Sequence, residues 1–126
     1  MNKFRYRLEK KAKQSTKEYP VATIAFYGPT ADFASKAVVA VFLKKDEDEP
    51  AVLERLFSET TDARFDEPIL EKILSVLETN GVKSVAMIDG VFGCPHEEGT
   101  DYPEGKPCPQ CPYWAGRDRS TLARIQ

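Results

Sequence analysis

Asp66-Glu67-Pro68-Ile69-Leu70-Glu71-Lys72-Ile73-Leu74-Ser75-Val76-Leu77-Glu78-Thr79-Asn80-Gly81-Val82-Lys83-Ser84-Val85-Ala86-Met87-Ile88-Asp89 is the stretch that decides the fold. Aspartate is a favoured N-cap and proline is tolerated in a first helical turn, so a helix starts at Asp66 to Pro68. Ile69, Leu70, Ile73, Leu74, Val76 and Leu77 recur at 3.6-residue spacing and make one apolar face. Asn80-Gly81 is a left-handed helix stop. Val82 to Ile88 then reads as a strand that ends at Asp89-Gly90. A helix turning tightly into a strand returns that strand parallel to an earlier one through a crossover.

Three further strands are expected upstream. Val21 to Tyr27 is rich in β-branched and aromatic residues and stops at Gly28-Pro29. Ala37 to Leu43 is nearly continuously apolar, which predicts a central strand covered on both faces. Ala51 to Phe57 alternates Val52, Glu54 and Leu56 with Leu53, Arg55 and Phe57. The short connections make these three an antiparallel meander. The expected fold class is therefore α+β, with the order β-β-β-α-β: a mixed sheet with one main helix and a further parallel strand.

The chain has 126 residues, 41% of them hydrophobic and 30% charged, which fits one soluble domain with a real core. No apolar run approaches the roughly 18 residues that read as a membrane span. The basic N-terminus lacks the apolar stretch of a secretory signal. The net charge of −2 is unevenly spread. Residues 1–20 carry Lys3, Arg5, Arg7, Lys10, Lys11, Lys13 and Lys17 against Glu9 and Glu18, a net of +5 that leaves −7 for the remainder. Residues 1–19 read as a basic, partly disordered arm, in which Phe4, Tyr6 and Leu8 alternate at a strand period. Residues 20–126 read as the single domain. The basic termini point to nucleic acid or a protein as partner.

Residues 90–116 break both periodicities. They hold five of the nine prolines and five of the seven glycines. They also hold every cysteine and the only histidine, as Cys94, His96, Cys108 and Cys111. Three thiolates and an imidazole in a C-x-H-x11-C-x2-C pattern suit a closed tetrahedral zinc site, so one structural zinc ion is expected. Ordering a long loop costs roughly 1–2 kcal/mol per residue, and zinc supplies about 10–16 kcal/mol in small peptides. An odd cysteine count is unsuited to a disulfide framework and points to a reducing cytoplasmic setting. The alternatives for the cluster are three unligated cysteines with an unrelated histidine, or an iron–sulfur centre with one histidine ligand.

Two catalytic patterns overlap the cluster. His96-Glu97-Glu98 followed by Pro107-Cys108-Pro109-Gln110-Cys111 spells the zinc-deaminase signature, with Glu98 as acid and base. The nine proline- and glycine-bearing residues between Glu98 and Cys108 leave no room for the separate helices of that family. Cys94 would also occupy the position that a catalytic water needs. A small zinc hydrolase or deaminase using Glu98 remains the alternative reading. Cys108-Pro109-Gln110-Cys111 resembles the C-P-x-C of glutaredoxin-like proteins, but no strand directly precedes it and Pro112 follows. The element order looks like the first half of a ribonuclease-H-like fold, yet Val21 to Tyr27 has no acidic residue for its metal site.

Tyr102, Tyr113 and Trp114, with Arg117 and Arg119, suit a partner surface that stacks bases and grips phosphate. The competing role is seating the loop on the sheet. The segment Gly93-Cys94-Pro95-His96-Glu97-Glu98-Gly99-Thr100-Asp101-Tyr102-Pro103-Glu104-Gly105, continuing from Cys108 through Pro112-Tyr113-Trp114-Ala115-Gly116-Arg117-Asp118-Arg119, resembles a group of small uncharacterised bacterial proteins, some labelled plasmid-related. The resemblance implies a bacterial cytoplasmic protein and carries no activity with it.

Overall fold

The computed structural model describes residues 3–13, 18–58, 60–96, 100–105, 109–110 and 113. The elements are α1 (Lys3–Lys13), β1 (Val21–Tyr27), β2 (Lys36–Phe42), β3 (Val52–Phe57), α2 (Glu67–Thr79) and β4 (Ser84–Gly93). The four strands form one sheet in the order β3-β2-β1-β4. β1–β2 and β2–β3 are antiparallel, and β1–β4 is parallel. The fold is thus α+β with a mixed sheet, a meander and a crossover through α2, as its decisive stretch predicts.

Helix α2 forms where capping and periodicity coincide. The Asp66 carboxylate accepts the Ile69 N–H at 3.2 Å, while the Ser58 hydroxyl donates to its other oxygen. Ile69, Leu70, Ile73, Leu74, Val76 and Leu77 are all buried. Asn80 caps the end, and Gly81 follows at φ +60°, a left-handed conformation that glycine adopts without strain.

The apolar face of α2 shares one core with Ala22, Ile24 and Phe26 of β1 and Ala37, Val39 and Val41 of β2. Leu8 of α1 is fully buried in the same cluster, so both helices cover the same side of the sheet. On the opposite side Val38 and Phe42 are half-buried, and Leu53 and Phe57 are exposed. Strand β2 is interior to the sheet; among the described residues helices lie on one face only, while Lys36 and Ala40 on the other face are buried as well.

The strand period at residues 3–8 is also corrected, because Lys3–Lys13 is helical. Phe4, Leu8 and Ala12 are spaced four apart and pack against the core as one helical stripe. Arg5 joins them, only 7% exposed. Its guanidinium lies over the Phe26 and Phe65 rings, donates to the Arg64 carbonyl and pairs with Glu9. Burial is the largest influence on Arg5 and pulls its pKa below the ordinary value, with Glu9 opposing.

Strand β4 runs to Gly93, past its expected end at Asp89-Gly90. Ile24 pairs with Met87 but Phe26 pairs with Val91, and Tyr27 then pairs with Gly93. Asp89 and Gly90 therefore lie inside an irregular stretch of strand. Extra residues in one strand bulge it without ending the pairing. The expected start of the loop at residue 90 is corrected accordingly.

Candidate functional site

Cys94 is the first residue beyond β4 and is 2% exposed, within the hydrophobic core cluster. Its place is fixed by the end of the sheet, where the Gly28 N–H donates to the Gly93 carbonyl at 2.8 Å. Cys94-Pro95-His96 then turns back on itself. The His96 backbone N–H donates to Cys94 Sγ, and His96 Nδ1 lies 3.3 Å from the same sulfur. A second tie comes from β2: the Lys36 ammonium donates to the Pro95 carbonyl at 2.9 Å.

This arrangement has a definite chemical capacity. Atoms held about 2.3 Å (sulfur) and about 2.0–2.1 Å (nitrogen) from one tetrahedral ion lie about 3.5 Å apart. The Cys94–His96 separation is within a few tenths of an ångström of that value. Two of the four expected ligands are therefore together, at the buried end of a strand. Cys108 and Cys111 lie outside the described residues. Among the described residues, no group of three or more histidine, cysteine or acidic side chains converges as a metal site.

The expected partner surface divides. Tyr102 is 8% exposed and belongs to the core cluster, so it is corrected from a base-stacking group to one that seats the loop. Tyr113 is half-buried and packs against the same cluster. Trp114, Arg117 and Arg119 lie outside the described residues, as does Glu98, the acid and base of the alternative hydrolase or deaminase reading.

Lys36 was not singled out by the sequence reading. It is 4% exposed, between the Tyr27 and Phe57 rings at 5.8 and 5.6 Å. The available signal was a lysine opening an otherwise apolar strand. The helical arrangement of the basic segment was likewise not foreseen. Lys3, Tyr6, Arg7, Lys10 and Lys13 are exposed on α1, spaced as one continuous stripe opposite Leu8. Arg7 also reaches Glu78 of α2, at 3.2 Å.

No helix among the described residues is long and apolar enough to cross a membrane. The chain matches no protein-family model, no curated protein and no solved structure.

Proposed function

We propose that the protein is a small zinc-stabilised binding module of the bacterial cytoplasm that contacts nucleic acid through helix α1. One zinc ion held by Cys94, His96, Cys108 and Cys111 clamps the loop after β4 against the sheet. The observation that carries the reading is the 3.3 Å approach of Cys94 Sγ and His96 Nδ1 at the buried strand end. The basic stripe of α1 supports the partner assignment. Lys3, Arg7, Lys10 and Lys13 offer charge to phosphates, and the exposed ring of Tyr6 offers a stacking surface.

Metal analysis of protein purified under reducing conditions, without chelator, tests the clamp. About one zinc per chain is expected from a single closed site. Cobalt substitution should give the spectrum of three sulfurs and one nitrogen. Protein without metal, or a cobalt spectrum without thiolate ligation, would overturn the clamp. A spectrum of two sulfurs, one nitrogen and water would favour the enzyme alternative instead.

A further inference from the structure

Tyr6, Glu9, Lys10 and Lys13 line a small hollow of about 170 Å³ on helix α1. Their spacing of three, four and seven residues from Tyr6 puts them on one helical face. Tyr6 is 54% exposed, so its ring is open to a partner. The hollow is well below the roughly 300–1,000 Å³ of sites that enclose a whole small molecule. It suits one small flat ring resting on the Tyr6 face, as bases rest on aromatic side chains.

Glu9 restricts which ring that is. It is the only acidic residue of α1. Turned toward phosphate, it would repel the strand that the lysines attract. Turned toward a base, it accepts a hydrogen bond from an exocyclic amine such as N4 of cytosine. Thymine and uracil present a carbonyl oxygen at the same position, which a carboxylate repels. The core holds this carboxylate in place: Glu9 Oε2 lies 3.5 Å from Arg5 Nε, and the Arg5 guanidinium is packed over the Phe26 and Phe65 rings. One such pairing does not exhaust a carboxylate, whose two oxygens offer about four acceptor positions. The Glu9 side chain is 43% exposed and is reachable from solvent. A base inside a duplex is stacked on both faces and has its amine paired, so the ligand is a single strand.

We propose that this face of α1 is a seat for one unpaired cytosine. Tyr6 stacks the ring, Glu9 accepts the N4 amine, and Lys10 and Lys13 hold neighbouring phosphates. The seat rests on the nucleic-acid reading of α1 and adds a base preference to it.

Fluorescence anisotropy of the full chain with oligodeoxycytidylate and oligodeoxyuridylate tests the seat. The two strands have the same backbone and differ at the C4 group of the base. Oligomers of about eight nucleotides, at low salt and slightly alkaline pH, keep the strand short and the cytosine unprotonated. The cytosine strand is expected to bind about fivefold or more tightly than the uracil strand. Glu9→Gln keeps an acceptor for Arg5, so α1 stays docked. It should bring the ratio of the two affinities close to one while the uracil strand binds at least as well as before. Tyr6→Ala, at an exposed position, should weaken the cytosine strand by about fivefold or more. Equal affinity of the native chain for both strands would overturn the seat and leave the nucleic-acid reading standing. So would an unchanged ratio in Glu9→Gln, which would confine Glu9 to its pairing with Arg5. Binding to neither strand would overturn both readings.

Discussion

Cys94 Sγ accepts the backbone N–H of His96 while lying 3.3 Å from the ring nitrogen Nδ1 of that same residue. One short turn therefore serves one sulfur twice. The backbone contact fixes the sulfur, and the ring supplies a second donor atom at the spacing a shared ion requires.

Substitution of either donor separates metal binding from core packing. His96→Ala removes a half-buried ring and should reduce zinc content well below one per chain while leaving the α/β core folded. Cys94→Ser should lose zinc and also destabilise the core by about 1–3 kcal/mol, because it places a hydroxyl in a nearly dry site. Metal analysis with urea unfolding measures both. Full zinc retention in His96→Ala would remove that residue from the ligand set.

The basic stripe of α1 makes a prediction in solution. Lys10→Glu with Lys13→Glu replaces two exposed side chains on the face opposite Leu8, so stability should change little. Affinity for single-stranded nucleic acid at low salt should fall, and the salt dependence should lose a slope of roughly 0.7 per phosphate contact removed. Fluorescence anisotropy across a salt series reads both quantities. Equal affinity and equal slope in the double variant would exclude α1 from the interface.

Gly28 is expected to be the least replaceable glycine of the described sheet connections. A Cβ at Gly28 would stand 1.7 Å from the Phe33 carbonyl oxygen, a clash with backbone rather than with a flexible side chain. Gly28→Ala should cost more than about 3 kcal/mol or prevent folding. Gly90→Ala, whose Cβ would meet nothing within 4 Å, is the control and should stay within about 1 kcal/mol of the native chain. Urea unfolding of the pair distinguishes close approach from a general need for glycine.

Acid sensitivity should trace in part to Asp62. Burial alone would raise its carboxyl, but side-chain and backbone hydrogen bonds from Arg64, with the Arg64 charge, outweigh burial and hold it below the ordinary value. Arg64 reaches both carboxylate oxygens, at 2.9 and 2.7 Å. A folded-state value below the unfolded one gives stability that is complete above the usual carboxylate range. It fades as pH falls through the lowered folded value. Asp62→Asn should cost about 1–3 kcal/mol at neutral pH and flatten the acid limb of the stability profile. A native-like acid limb in Asp62→Asn would show that other carboxylates control it.

The parts of the fold that could be read from sequence were those where several local signals agreed. Helix α2 has its cap, its stripe and its glycine stop within sixteen residues of chain, from Asp66 to Gly81. Strand β1 is bounded by Pro20 on one side and Gly28 on the other, and its ends fall as expected. Helix α1 was hidden because Phe4, Tyr6 and Leu8 satisfy an alternating period while Phe4, Leu8 and Ala12 satisfy a helical one. The deciding residue is Arg5, whose stem and planar head behave as core material between two rings, something residue type alone does not convey. At the candidate site, Cys94 and His96 were legible from spacing. Lys36 was not, since its burial depends on rings brought in from β1 and β3.

The irregular pairing of β4 has a consequence for which lesions the protein can bear. Val21 to Tyr27 spans seven positions of β1, and their partners, Ser84 to Gly93, span ten positions of β4. The surplus is three, an odd number. In a strand, an odd offset exchanges the two faces for everything downstream. Cys94 thereby arrives on the helix side, in the position that an uninterrupted count would have given to residue 91. Removing a single residue between Met87 and Gly93 either cuts the surplus to two or, where the surplus of three is kept, slips the register so that Cys94 falls opposite Tyr27 and its sulfur turns away from the helices. Evolution can exchange letters in this segment far more freely than it can change their number.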